Sequence, residues 1–262
     1  MNRKLIAIDL DGTLLNSEKK VSNEAKEYLK KLKEEGHIIV LATGRILRSA
    51  IDVTNGAEFA NYVVGSTGGV IYDLAKKEIL YQNKISKENI NEIYSAYNED
   101  IDRIEMCDLD YYYIYSKNDH ENSTYKRIIN NIEDYLENKD NTIHIAIIVK
   151  NNFEYNYNKL KEKINNLKIS LMRDSYSPKR WIEVSGLNVS KYNGIKYISD
   201  IEKIDNNNII AFGDSLNDID MLEKSAVSVA VSNAIEEVKE AAKYITKSYN
   251  EDGVIEFLKW YL

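Results

Sequence analysis

Lys4–Leu15, KLIAIDLDGTLL, constrains the fold more than any other stretch, because an unbroken apolar run stops abruptly at two carboxylates. Leu5–Ile8 carries two β-branched residues and no polar interruption, the pattern of a central parallel strand covered on both faces. Asp9 ends the run, and Asp11, Gly12 and Thr13 follow at once. Two carboxylates at the mouth of a buried strand repel one another unless a cation or a partner offsets them. Gly12 supplies a tight turn, and in open α/β sheets ligands bind beyond the carboxyl ends of strands. Asp-Gly is also a common turn signal, so the segment alone reads equally as an ordinary strand exit.

The same grammar recurs along the chain. A helix is expected over Lys20–Glu35, with Ser22 near its start and Gly36 closing it. His37–Ala42 is a second buried strand, ending in Thr43–Gly44–Arg45, and a helix from Ile46 to about Asn55 follows. Tyr62–Val64 is a third strand before Ser66–Gly69, and Ile71–Tyr72 with Glu78–Leu80 reads as an edge hairpin. Strand, turn and helix repeating at this spacing imply βαβ units on a parallel sheet.

Between about Gln82 and Arg180 the texture changes. Helices are expected at Lys87–Tyr97, Glu121–Leu136 and Phe153–Leu167, and strands at Arg103–Met106, Asp110–Tyr115, Thr142–Val149 and Lys168–Leu171. None of these strands ends in the acidic or Ser/Thr-Gly exits seen earlier. The single proline, Pro178, precedes Trp181–Val184, where the chain is expected to rejoin the first domain. The α/β rhythm then resumes: a helix at Lys191–Ile198, a strand Asn208–Phe212 ending in Gly213–Asp214, and a helix containing Ile219–Leu222. The strand Val227–Val231, a helix Ala234–Ala242, the strand Tyr244–Thr246 and a helix Gly253–Leu262 close the chain. The expected architecture is α/β: a Rossmann-like doubly wound parallel-sheet core, residues 1–82 and 183–262, with an inserted α+β cap domain, residues 83–182.

Bulk properties exclude several classes. A hydrophobic fraction of 44% supports a real core, and a net charge of -7 argues against a general nucleic-acid surface. One cysteine, Cys107, rules out an intramolecular disulfide and fits a reducing, cytoplasmic setting. No apolar run approaches the ~20 residues of a membrane span, and the first residues carry no signal-peptide pattern. The 20 tyrosines are a background bias. His37, His120 and His144 are scattered, without zinc-site spacing.

Asp9/Asp11, Thr43/Arg45, Lys191 and Asp214 with Asn217/Asp218 all stand at strand exits or helix starts. Singly, each has a plainer reading: Asp214–Ser215 as a helix cap, Lys191 as a solvated lysine, Arg45 and Arg48 as surface charge, Gly68–Gly69 as a loose turn. Together, three or four carboxylates converging on one sheet edge call for a hard cation, and oxygen ligands favour Mg²⁺ over zinc. Metal plus lysine can hold a phosphoryl group that bare carboxylates would repel. On this reading Asp9 is the nucleophile and Asp11 the general acid, later the base toward water. Thr43 and Gly44 offer a hydroxyl and an N–H to phosphate, and Lys191 balances charge. Asp214 and Asp218 face the metal, and Asn217 is a further ligand, a phosphate contact or a support for Asp218.

Asp9–Leu10–Asp11–Gly12–Thr13–Leu14, Thr43–Gly44–Arg45, Lys191 and Gly213–Asp214–Ser215–Leu216–Asn217–Asp218 resemble the four motifs of the haloacid-dehalogenase-like hydrolases. The long insert and Ser228–Val254 are similar to the Cof-type phosphatases with a type IIB cap. The resemblance implies an aspartyl-phosphate on Asp9, acid/base work by Asp11, and a Mg²⁺ site of Asp9, the Asp11 carbonyl, Asp214 and, directly or through water, Asp218. It also implies a mobile cap hinged near Gln82–Ser86 and Ser177–Arg180, and a small phosphorylated metabolite, such as a sugar phosphate, as substrate. Arg45 and Asn233 are further site candidates. Four positions depart from the family pattern: Thr67–Gly68–Gly69 for Asn-Gly-Ala, Ile46 for Pro, Tyr192 for Gly, and Val231–Ser232–Asn233–Ala234 for Met-Gly-Asn-Ala. At Ser232 a Cβ is expected to displace Asn233 if the backbone there is left-handed. A phosphosugar mutase and a non-catalytic metabolite-binding regulator are the alternatives, and the oligomeric state is open.

Overall fold

Leu5–Ile8 forms strand β1, and all four side chains are excluded from solvent. The computed structural model describes residues 3–118, 122–174 and 177–262. After β1 come α1 (Asn23–Glu34), β2 (Ile38–Ala42), α2 (Leu47–Val53), β3 (Tyr62–Gly65), β4 (Val70–Asp73) and β5 (Glu78–Gln82). Helix α1 starts where the Ser22 side chain accepts a hydrogen bond from the Ala25 amide, and it buries Ala25, Leu29 and Leu32. That stripe is the one its period dictates.

The chain continues through α3 (Lys87–Tyr94), β6 (Ile101–Cys107), β7 (Tyr112–Ser116), β8 (Lys126–Ile128) and α4 (Ile132–Asn138). Next are β9 (His144–Val149), α5 (Phe153–Lys163), β10 (Leu167–Arg173) and β11 (Arg180–Gly186). It ends with α6 (Lys191–Ile201), β12 (Ile209–Gly213), α7 (Ile219–Lys224), β13 (Val227–Val231), α8 (Glu236–Ala241), β14 (Tyr244–Thr246) and α9 (Gly253–Tyr261).

Two compact units result, one running to Tyr81 and resuming over Ser190–Leu262, the other Gln82–Val189. The first is Rossmann-like, with strand order β14-β13-β12-β1-β2-β3-β4-β5. Strands β14 through β3 pair in parallel, and β4 runs antiparallel to β3. One sheet face packs Leu5, Ala7, Val40 and Ile209 against Ile195, Ile198, Met221, Leu222 and Val238 of α6, α7 and α8. Burying each of these Leu, Ile, Val and Met side chains contributes roughly 1.5–3 kcal/mol. Strand β1 is bracketed by β2 and β12, with Ile8 opposite both Leu41 and Phe212. Asp9 therefore emerges beside the end of β12, its amide donating to the Phe212 carbonyl at 3.1 Å. This is the strand-order reversal at which α/β sheets open a crevice.

The second unit has a sheet of order β10-β11-β9-β6-β7-β8. Ile90, Ile93, Ile132, Leu136, Phe153 and Leu160 of its helices bury against Ile104, Met106, Ile145, Ile147, Ile182 and Val184. Two expectations fail here. The helix Glu121–Leu136 is instead strand β8 followed by the short α4; β8 exists because Lys126–Ile128 pairs in parallel with Tyr112–Ile114. Glu121 and His120 lie outside the described residues. Trp181–Val184 does not rejoin the first unit, because β11 pairs with both β9 and β10. The first unit resumes at Ser190, not at 183, and the second connection lies there and not at Ser177–Arg180.

Candidate active site

Three carboxylates and one lysine meet at the carboxyl ends of β1 and β12. Oxygens of Asp9, Asp214 and Asp218 all lie within 4.8 Å of one another, and all three residues are buried. Lys191, fully excluded from solvent, donates through Nζ to Asp9 Oδ1 and to Asp218 Oδ1, each at 2.6 Å. Its place follows from local structure: Ser190 caps α6 by accepting from the Asn193 amide, so Lys191 is the first helical residue. Gly68 makes room for that cap, since a Cβ there would fall 2.2 Å from the Ser190 carbonyl oxygen.

Asp218 is brought back onto β12 by a one-turn helix, Leu216–Asp218, which precedes α7. Its Oδ2 accepts from the Asp214 and Ser215 amides, both at 3.0 Å. Gly213 permits this fold-back, as a Cβ on it would sit 2.4 Å from the Asp218 Cβ. The helix-cap reading of Asp214–Ser215 is thus also true: Ser215 and Asp218 form a reciprocal capping box. Thr13 Oγ1 donates to Asp214 Oδ1 at 2.9 Å and orients the last of the three carboxylates.

Burial lifts the Asp9 carboxyl well above the ordinary carboxylate range; Lys191 opposes the lift, and Asp218 and Asp214 add to it. Burial would lower the Lys191 ammonium, but Asp218 and Asp9 outweigh it and hold the group protonated above the usual lysine range. One ammonium facing three buried carboxylates leaves an excess of negative charge in a water-poor site. Hard oxygen donors with that excess fit a small divalent cation.

Asp11 stands apart from this cluster. Its oxygens take the Arg45 fork, Nε at 2.6 Å and Nη2 at 2.8 Å, and Lys19 Nζ at 3.1 Å. Burial raises its carboxyl, yet the Arg45 and Lys19 contacts outweigh that and bring it below the ordinary range. The Asp11 side chain is bonded to these cations; the metal-ligand expectation for this residue concerns its backbone carbonyl. Arg45 also reaches Ser49 Oγ at 3.0 Å, so it is not plain surface charge, whereas Arg48 pairs with Asp52 across one helical turn.

Thr43 is buried and its Oγ1 accepts from the Arg45 amide at 3.1 Å. Gly44 borders Asn217: a Cβ there would lie 3.5 Å from Asn217 Nδ2 and 3.7 Å from Thr67 Oγ1. Asn233 Nδ2 donates to the Gly12 carbonyl at 2.8 Å, while its Oδ1 accepts from the Tyr249 amide at 3.1 Å. It thereby pins the loop that carries Asp11. Ser232 is absent from the residues with positive φ, so its Cβ fits an ordinary backbone and leaves this contact intact.

Thr13, Lys19 and Thr67 carry no role in the sequence reading; Thr13 lies inside the first motif and Thr67 at a departure from the family pattern, but nothing local marks Lys19. His144, one of the scattered histidines, lies in the second unit with Nε2 at 3.1 Å from Glu183 Oε2. His37 Nδ1 accepts from the Lys4 amide.

A family model described as haloacid dehalogenase-like hydrolase matches residues 6–258. A 5-amino-6-(5-phospho-D-ribitylamino)uracil phosphatase of Bacillus subtilis, YcsE, is 27% identical over 266 residues, covering 99% of this chain and 96% of its own. The crystal structure of a haloacid dehalogenase-like hydrolase from Bacteroides thetaiotaomicron superposes over 100% of both chains with a TM-score of 0.83 at 26% identity. The subclass IIB sugar phosphatase BT4131 superposes over 98% of both chains with a TM-score of 0.80; at 22% identity that likeness carries the fold alone.

Proposed function

We infer that this chain, which belongs to the haloacid dehalogenase-like hydrolases, is a Mg²⁺-dependent phosphatase that opens small phosphomonoesters through a phosphoryl group carried on Asp9. The observation that carries the reading is the buried group of Asp9, Asp214 and Asp218 with Lys191 bonded into it. Asp9 is fixed at the end of a rigid central strand, so its carboxylate meets phosphorus in line and with little reorganisation. An oxygen of Asp9 bonds to phosphorus as the bond to the ester oxygen breaks. Lys191 opposes the lift that burial gives the Asp9 carboxyl, which favours the ionised, attacking form, and it faces the phosphoryl charge.

Asp11 serves the leaving group first and water second. Paired with Arg45 and Lys19 it is a carboxylate at neutral pH, the form that takes a proton from water as the acyl phosphate is cleaved. Donating a proton to the departing alkoxide requires that this fork loosen when substrate enters, because only then does the carboxyl hold a proton. Thr43, Gly44 and Asn217 supply donors to the phosphoryl oxygens. Mg²⁺, held by Asp9, Asp214 and Asp218, would supply the positive charge that the cluster lacks. The inserted unit, Gln82–Val189, takes the part of a lid that excludes water and selects the leaving group. A small phosphorylated metabolite, with sugar phosphates the first class to screen, fits the reading.

The test is release of nitrophenol from p-nitrophenyl phosphate. Activity should require Mg²⁺, vanish with chelator and fall at least about a thousandfold in Asp9→Asn. Retention of most activity by Asp9→Asn, or full turnover without a divalent ion, overturns the reading.

A further inference from the structure

We propose that Thr67 is a phosphate-contacting residue of this site, its hydroxyl donating a hydrogen bond to a non-bridging phosphoryl oxygen; the inference rests on the phosphatase reading above. Three consecutive residues after β3 have positive φ: Ser66 at 47°, Thr67 at 56° and Gly68 at 103°. Glycine adopts such angles freely, but a β-branched side chain does so at a cost in strain. Such strain persists only where surrounding structure imposes it, and it collects at functional sites.

The surroundings do impose it. The Ser66 amide donates to the Arg45 carbonyl at 2.8 Å and the Thr67 amide to the Thr43 carbonyl at 3.0 Å. On its other side the loop abuts the Ser190 carbonyl through Gly68, which leaves no room for movement. Every one of these restraints acts on the backbone. Asparagine or glycine at position 67 would keep them all and relieve the strain, so the fold by itself gives no reason for a threonine side chain.

The side chain has somewhere to act. Thr67 is buried, and its hydroxyl makes no hydrogen bond among the described residues. Oγ1 borders the space in front of Gly44 together with Asn217 Nδ2, at 3.7 Å and 3.5 Å from where a Gly44 Cβ would stand. Asn217 Oδ1 is buried with no partner, so the chain itself leaves this carboxamide incompletely bonded. A hydroxyl and an amide N–H₂ at one gap, next to the loop that carries Thr43, present donors to an anionic oxygen. A phosphoryl oxygen is the anion this site is built to receive.

Thr67→Val keeps shape and branching and removes only the hydroxyl; Thr67→Ser keeps the hydroxyl and removes the methyl. Each is assayed with p-nitrophenyl phosphate and Mg²⁺, with the inhibition constant of inorganic phosphate and the melting temperature measured alongside. Thr67→Val should lower kcat/KM about ten- to a hundredfold and weaken phosphate inhibition to a similar degree, the loss of one hydrogen bond to a charged group. Its melting temperature should stay within about 3 °C of the parent, and Thr67→Ser should recover most of the activity. Should the valine variant not fold, Thr67→Ala gives the same readout. Parental kcat/KM and phosphate inhibition in Thr67→Val, or equal losses in Val and Ser, overturn the assignment of Thr67 while leaving the phosphatase reading in place. A parent protein without any phosphomonoesterase activity overturns the phosphatase reading itself.

Discussion

Replacing Lys191 by methionine removes the ammonium that lies between Asp9 and Asp218 and keeps a side chain of similar length. Each 2.6 Å contact is worth about 6 kcal/mol of Coulomb attraction at an effective dielectric near 20. Desolvation of the ions offsets most of that attraction, and removing one partner of a buried pair costs about 3–5 kcal/mol because the remaining charge is left uncompensated. With metal chelated at pH 8, Lys191→Met should therefore unfold about 3–5 kcal/mol more easily, a large share of a total stability of roughly 5–15 kcal/mol. The deficit should depend on pH with a definite sign. Burial raises the Asp9 carboxyl above its unfolded value, and Lys191 is the group that holds it down. A raised carboxyl contributes stability that is complete below about pH 4 and is lost as pH climbs through its folded pKa. Without Lys191 that pKa rises further, so the variant loses more on going to neutral pH and its deficit is smaller at pH 5 than at pH 8. Lys191 itself, raised by Asp218 and Asp9, contributes stability that persists until pH rises through its folded pKa, so it is charged at both values. Mg²⁺ at a hundred times its dissociation constant stabilises a folded site by about 2.7 kcal/mol, and it should narrow the gap by replacing the lost charge. The assay is urea unfolding followed by circular dichroism at pH 5 and pH 8, with chelator or Mg²⁺. A deficit below about 1 kcal/mol at pH 8 in chelator, or one indifferent to both pH and Mg²⁺, would refute the reasoning.

Arg45→Met should lift the Asp11 carboxyl, which the arginine now holds below its ordinary range; the acidic limb of the kcat/KM profile then moves to higher pH, and an unmoved limb would mean that Asp11 does not govern it. Thr13→Val deletes the 2.9 Å bond to Asp214 and should weaken Mg²⁺ binding by about tenfold, read from the Mg²⁺-induced shift in melting temperature. Burial lowers the His144 imidazole, but Glu183 outweighs it and raises the group to about 10. Its stabilising contribution is complete below about pH 6.5 and is lost as pH rises toward 10; Glu183→Gln should flatten that loss and cost about 3 kcal/mol at pH 7, measured by unfolding across the window. Asn233→Ala frees the Gly12 carbonyl and should cost about 1 kcal/mol with a clear fall in kcat, whereas unchanged kcat would remove Asn233 from the support of the Asp11 loop.

Much of this protein is written in short strings of its sequence. Leu5–Ile8, Ile38–Ala42 and Ile209–Gly213 are buried strands because nothing polar interrupts them, and their exits bear Asp9, Thr43 and Asp214 because that is where the apolar runs stop. Ser22 and Ser190 start helices through side chains that act within one turn. Contacts between distant residues were beyond such local patterns. Lys126–Ile128 looks helical until Tyr112–Ile114 arrives to pair with it, and β11 belongs to the second sheet only because β9 and β10 flank it. Likewise two aspartates two residues apart look like one acidic pair, yet Asp9 turns to Lys191 and Asp11 to Arg45. Periodicity and capping are properties of neighbours along the chain, so they can be read from order alone. Which carboxylate keeps which cation depends on distances between residues tens to hundreds of positions apart, and only the folded chain sets those.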